Sequence, residues 1–183
     1  APELDGVLET VRGLAPAEAS AQHSMLFRGK VLVAPYEGSY ELDPIRQVRQ
    51  MADVAAFYRA FGAEAHGPAG DRPDFVGCEL EFLSSLELRR IAALESGEEG
   101  AEIIDEVRQS FLADHAGRWL PTFFARVAEA AQDGSLYSAL AALGARTLTS
   151  ELDRRGIEPA RLPRPKSRSS LDDDTLECGA RLR

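Results

Sequence analysis

The sequence predicts an all-α fold, a single helical bundle of about seven helices over residues 1–158 followed by an extended tail, residues 159–183. Three observations lead there. No stretch keeps up the apolar–polar alternation of a half-buried strand, whereas apolar residues recur at spacings of three and four along most of the chain. The periodic stretches are punctuated by capping residues, glycines and prolines. With 183 residues, 44% of them hydrophobic, the chain is long enough to bury one sizeable core.

A first helix is expected near Pro2–Arg12, ending at Gly13, and a second over Ala17–Phe27 after Pro16. Arg28–Asp43, with Gly29, Pro35 and Gly38, reads as irregular. Asp43 can cap a third helix with Pro44 in its first turn. Ile45, Val48, Met51, Ala52, Ala55 and Tyr58 then mark one face, and Gly62 suits the stop. A loop at His66–Gly70 leads to a fourth helix, expected over Pro73–Glu95 and ended by Gly97. A fifth spans Glu98–Gly117 with Ile103, Ile104, Val107, Phe111 and Leu112 on its apolar face. Pro121 should break or restart the helix before a sixth, Thr122–Gln132. Ser135 caps a seventh that runs to Arg155–Gly156. The tail opens with a basic, proline-rich stretch, Pro159–Ser170, that reads as extended or disordered.

The formal charge of −9 argues against nonspecific nucleic-acid binding, which needs cationic contacts to phosphate. The acidic excess sits before Pro159, because the tail carries six Lys/Arg against four acids. An acidic body suits a basic partner or simple solubility. No apolar run approaches the ~20 residues of a membrane span. The start, Ala1-Pro2-Glu3-Leu4-Asp5, lacks the marks of a signal peptide and an initiator Met. The expectation is a cytoplasmic protein whose native N-terminus is missing, renumbered or divergent. Cys78 and Cys178 form neither a disulfide framework nor a zinc spacing.

Recognisable catalytic chemistry is absent from the motifs. There is no phosphate loop, dinucleotide fingerprint or nucleophile elbow. His23, His66 and His115 are scattered and lack ligand-like partners, so neither a metal nor a cofactor is expected. Asp114 and His115 are adjacent on a helix and diverge by about 100°, which rules out a dyad. His115 shares a face with Phe111, Leu112 and Trp119.

Asp71–Leu83 is the most informative segment. Asp71 and Asp74 fall at the start of the fourth helix, where capping and the helix dipole favour acids. Glu79 is unusual, because its helical neighbours Phe75, Val76, Phe82 and Leu83 are all apolar. A charged carboxylate in that stripe costs several kcal/mol unless it is paired. Glu79 must therefore meet a cation or backbone N–H groups, or carry a proton. A structural anchor for a loop is the reading preferred over a general base.

An acidic-Pro-Asp start followed by Glu79-Leu80-x-Phe82-Leu83 resembles the signature of the TorD/DmsD/NarJ chaperones. Leu26-Phe27 with Pro35-Tyr36-Glu37-Gly38-Ser39-Tyr40 resembles a second segment of that family, and Phe57–Gly62 a third. Phe111-Leu112-x-x-His115-x-x-x-Trp119-Leu120-Pro121, with Tyr137 later, resembles a fourth. The resemblance spans roughly residues 22–150. It implies an all-helical protein without enzymatic turnover that binds the catalytic subunit of a molybdopterin enzyme before cofactor loading. Recognition is often through a twin-arginine leader, and domain-swapped homodimers are possible.

The resemblance implies a client-peptide site on Asp71, Asp74, Phe75, Tyr36, Tyr40, Leu26, Phe27, Pro35, His115 and Trp119, with Glu79 as structural anchor. In this expectation Asp71 and Asp74 meet the leader arginines while Tyr36, Tyr40 and Trp119 line an apolar groove. Phe75 departs from the family, which often has histidine there. The basic run Arg161–Arg168 is expected to lie on the acidic body and compete with the client. Two other readings remain: a generic helical adaptor domain, and an enzyme using Glu79 or His115.

Overall fold

A computed structural model describes residues 2–64, 72–97 and 100–165, and among them the fold is all-helical. Helix α1 (Pro2–Gly13) is followed by α2 (Pro16–Phe27), a 3-10 turn (Glu37–Ser39), α3 (Pro44–Ala60) and α4 (Val76–Ser96). Then come α5 (Ala101–Phe111), a π-helical turn (Leu112–Ala116), α6 (Gly117–Ala130) and α7 (Leu136–Arg155). α4 packs on α5, α6 on α7, and α1 on α7. Trp119, Tyr40, Phe111, Leu26, Leu86 and Leu120 have no exposed surface and form the centre of the core.

The expected caps act at α3 and α7. The Asp43 carboxylate accepts the Ile45 N–H at 2.8 Å, and the Ser135 hydroxyl accepts the Ser138 N–H at 3.2 Å. Gly97 and Gly156 take the left-handed conformation just past α4 and α7.

Two expectations about elements are corrected. α4 begins at Val76, three residues later than the sequence suggests. Ahead of it Pro73 and Asp74 form a turn, closed by the Phe75 N–H on the Arg72 carbonyl at 3.0 Å, and the extended Phe75 makes an isolated antiparallel bridge opposite Tyr36. The Glu37 N–H donates to the Asp74 carbonyl and the Val76 N–H to the Pro35 carbonyl, both at 2.9 Å. Asp74 therefore lies before the helix and not in its first turn.

Pro121 does not break the helix either. α5, the π-turn and α6 run on as one rod with Pro121 inside α6. Proline has no N–H for the carbonyl four residues earlier, that of Gly117. Arg161 supplies the missing donor, its Nη1 lying 3.0 Å from the Gly117 oxygen. The Leu162 N–H donates to the Arg118 carbonyl at 2.9 Å, and the Leu162 side chain is buried. Residues 157–165 thus form a strap laid along α6, with Arg164 paired to Glu129. The described part of the tail stands on α6, with Arg161 and Arg164 held there and not in the groove described below. Residues 166–183 lie outside the described residues.

Candidate functional site

Two sequence motifs far apart in the chain form one unit. The bridge joins Pro35–Glu37 to Asp74–Val76 and brings the Tyr36 and Phe75 rings to 5.7 Å. Arg72 lies over the Tyr36 ring at 4.9 Å and clasps Asp74 with two bonds, 2.9 Å from Nε and 2.7 Å from Nη2. The other demand on Asp74 comes from the Gly38 N–H, 3.0 Å from Oδ2. Space at Gly38 is tight, because a Cβ would sit 3.0 Å from that oxygen and 3.1 Å from Arg72 Nη2. Tyr58 anchors the same segment, donating its hydroxyl to the Pro73 carbonyl at 2.8 Å.

Beneath this unit three carboxyl groups, Glu37, Asp74 and Glu79, have no exposed surface. Glu37 is held by Gln50 Nε2 at 3.3 Å and His115 Nδ1 at 3.1 Å. Glu79 accepts the Trp119 indole N–H at 2.9 Å, tying α4 to α6. Burial pushes the Glu79 carboxyl well above its ordinary range. The Glu37 and Asp74 carboxylates push the same way, and the indole bond opposes them only in part. The donor is a side-chain N–H, not the cation or backbone N–H groups expected from the sequence; the shift favours a bound proton, and the bond joins two helices where the sequence suggested an anchor for a loop.

Beside the unit runs an apolar groove of about 930 Å³. Its floor is α6, through the buried Leu120, Phe123, Phe124 and Val127. One wall is α4, with Val76, Leu80, Leu83 and Glu87; the other is α7, from Tyr137 through Leu140 and Gly144 to Glu151 and Arg154. His23 and Phe27 of α2, with Pro35, Tyr36 and Phe75, close one end in an aromatic cluster; Phe27 and Tyr137 meet at 5.4 Å. At the other end Glu87 and Glu151 are shared among Arg90, Arg108, Arg154 and Arg155. The bond from Arg90 holds the Glu87 carboxyl below its usual range.

Of the residues expected at the site, Phe27, Pro35, Tyr36 and Phe75 line this groove. Leu26, Tyr40 and Trp119 are wholly enclosed in the core, so they offer no surface to a partner. His115 is buried against Phe57 and Phe111, and Asp74 is buried under Arg72. Asp71 lies outside the described residues. The wall residues Leu80 and Leu140, 41% and 38% exposed, were not among the site residues expected from the sequence. The apolar stripe of α7, which takes in Tyr137, Leu140, Ala141, Leu143, Gly144 and Leu148, is wider than packing on one neighbour needs. That width was the available clue.

The family described as nitrate reductase delta subunit matches this chain over residues 1–125. The chain belongs to that family. No curated protein and no solved structure matches it. The nitrate reductase delta family is one of molybdoenzyme-maturation chaperones, TorD-like and not catalytic, so the resemblance of the motifs to the TorD/DmsD/NarJ signature holds. Partners in this family are the catalytic subunits of nitrate reductase-type molybdoenzymes. The matched residues include the bridge unit, α4 and the first half of α6; α7, the far wall of the groove, follows them. Among the described residues no helix is long and apolar enough to cross a membrane, and no cluster of three or more His, Cys, Asp or Glu residues is placed to hold a metal.

Proposed function

We propose that this delta-family chaperone holds an N-terminal segment of a molybdopterin oxidoreductase catalytic subunit in the groove between α4 and α7. There it acts in the cytoplasm, keeping the client ready for cofactor insertion and delaying its export. The observation that carries this reading is the apolar groove edged by the bridged family motifs. The groove follows α7 from Tyr137 to Arg154, ~25 Å at 1.5 Å per residue, which suits a helix of four to five turns. Its lining is mostly apolar and the carboxylates at its far end are already paired with arginines, so it fits the apolar stretch of a leader better than its arginines. Asp74, the carboxylate expected to meet those arginines, is already saturated by Arg72 and Gly38.

Calorimetric titration with leader peptides of molybdoenzyme catalytic subunits tests the proposal. Leu140→Arg puts a charge on a wall residue that is already 38% exposed, so folding should survive. Loss of roughly tenfold or more in affinity is expected, about the worth of one desolvated apolar contact. A variant that binds every leader as tightly as the native chain would show that the client sits elsewhere.

A further inference from the structure

The turn after α2 reverses the charge of the molecule, which is −9 overall. No acidic residue occurs between Glu18 and Glu37, and Glu37 is buried. Arg28 and Lys30 lie in this interval and are exposed, and none of the ion pairs among the described residues engages them. Beside them Met25, Val31 and Leu32 are 48%, 47% and 39% exposed. The backbone keeps these apolar side chains outside the core. The Leu26 carbonyl accepts the Leu32 and Val33 N–H groups at 3.0 and 3.2 Å, and the Val33 side chain is buried. Arg126 of α6 pins the turn, with Nη2 2.7 Å from the Leu32 carbonyl.

The strap ends close to this turn. Arg164 bonds Glu129, which follows Arg126 on α6 by three residues, about 4.5 Å along the axis. The Arg164 bond, helped by the charges of Arg164 and Arg126, holds the Glu129 carboxyl below its ordinary value, so all three groups are neighbours. Pro165 is the next residue. Beyond it the tail carries four acids, Asp172, Asp173, Asp174 and Glu177, all within Leu171–Glu177 and accompanied by Leu171 and Leu176. Six residues from Pro165 bring Leu171 within reach of any point up to roughly 20 Å away. Acids and leucines together complement the cations and exposed apolar groups of the turn. A separate acidic partner or an anionic membrane must approach against the negative field of the whole molecule. A tethered segment is already beside the turn, at an effective concentration on the order of millimolar.

We propose that the acidic segment Leu171–Glu177 docks on this turn, its carboxylates beside Arg28 and Lys30 and its leucines beside Met25, Val31 and Leu32. This docking does not depend on what the groove holds. NMR on the full chain tests it. A variant carrying Asp172→Asn, Asp173→Asn and Asp174→Asn together should differ from the native chain in the backbone amide signals of residues 29–32. High salt should move the native spectrum towards that of the variant. The reciprocal variant, Arg28→Glu with Lys30→Glu, alters two exposed side chains, so it should fold and should move the amide signals of Thr175 and Leu176. A synthetic peptide of residues 171–177, added to the triple variant, should restore the native shifts at residues 29–32. The native shifts should also be the same over a wide range of protein concentration, because the segment and the turn belong to one chain. Unmoved amides at residues 29–32 in the triple variant would overturn the proposal. So would shifts confined to Ile45 and Val48 on the exposed face of α3, or shifts that grow with protein concentration and so mark a second copy.

Discussion

Glu79 is where local sequence and tertiary structure pull hardest against each other. A buried carboxyl facing two other acids is easier to keep protonated than charged. Its affinity for a proton is therefore higher folded than unfolded, and the folded state gains stability where the proton is bound. That gain is complete below the ordinary value of 4.5 and is lost as pH rises through the raised folded value. Glu79→Gln keeps the shape and an acceptor for Trp119 without the titration. Chemical denaturation at a series of pH values should show the native chain losing stability relative to Glu79→Gln as pH rises from 4.5. Parallel curves would mean that the carboxyl titrates in the fold as it does in the unfolded chain. Asp74 behaves differently, because its oxygens are bonded to Arg72 and Gly38. Asp74→Lys buries a cation opposite Arg72 and should cost about 3–5 kcal/mol. Were Asp74 to meet the leader arginines, as expected from the sequence, this substitution would harm binding more than folding. Burial reverses that, and a thermal melt of the free chain should fall as clearly as the affinity does.

At the scale of elements, the strap and α7 decide what was legible. Helix positions followed from periodicity and caps, because those signals are local: Asp43, Ser135 and Gly156 sit at helix ends and act there. The start of α4 was misplaced because what sets it is a partner more than thirty residues away, Pro35–Glu37. Pro121 misled for a similar reason, since Arg161 and Leu162 supply what proline removes. Candidate residues divided along the same line. Aromatic type alone does not distinguish Tyr36 at the groove edge from Tyr40, enclosed beside Trp119 at 5.2 Å. Truncation after Glu158 should therefore destabilise the chain. It uncovers the pocket of Leu162 and strips donors from two α6 carbonyls, a loss of about 2–4 kcal/mol, read as a lower denaturation midpoint. Gly144 tests the groove wall. A Cβ there would lie 2.5 Å from the Phe124 ring, so Gly144→Ala must push that ring from its place. Better helix propensity of about 1 kcal/mol opposes the clash, so stability changes little while leader affinity falls.

For the molecule as a whole, the acidic charge and the apolar groove divide the labour of binding. The formal charge is −9, yet the carboxylates lining the groove, Glu87 and Glu151, are already engaged by arginines. The general field can draw a basic leader towards the surface, while the complex itself rests on apolar burial. The two contributions separate in kinetics. Raising salt from 50 to 500 mM shortens the reach of the field from roughly 14 Å to roughly 4 Å. Association of a twin-arginine peptide should slow by about tenfold or more over that range, whereas dissociation should hardly change. A peptide with both arginines replaced by glutamine should associate slowly at every salt concentration and dissociate at the native rate. Surface plasmon resonance reads both rates directly. If dissociation instead accelerates steeply with salt, ion pairs hold the complex together, and the arginines sit in a carboxylate site rather than beside an apolar groove.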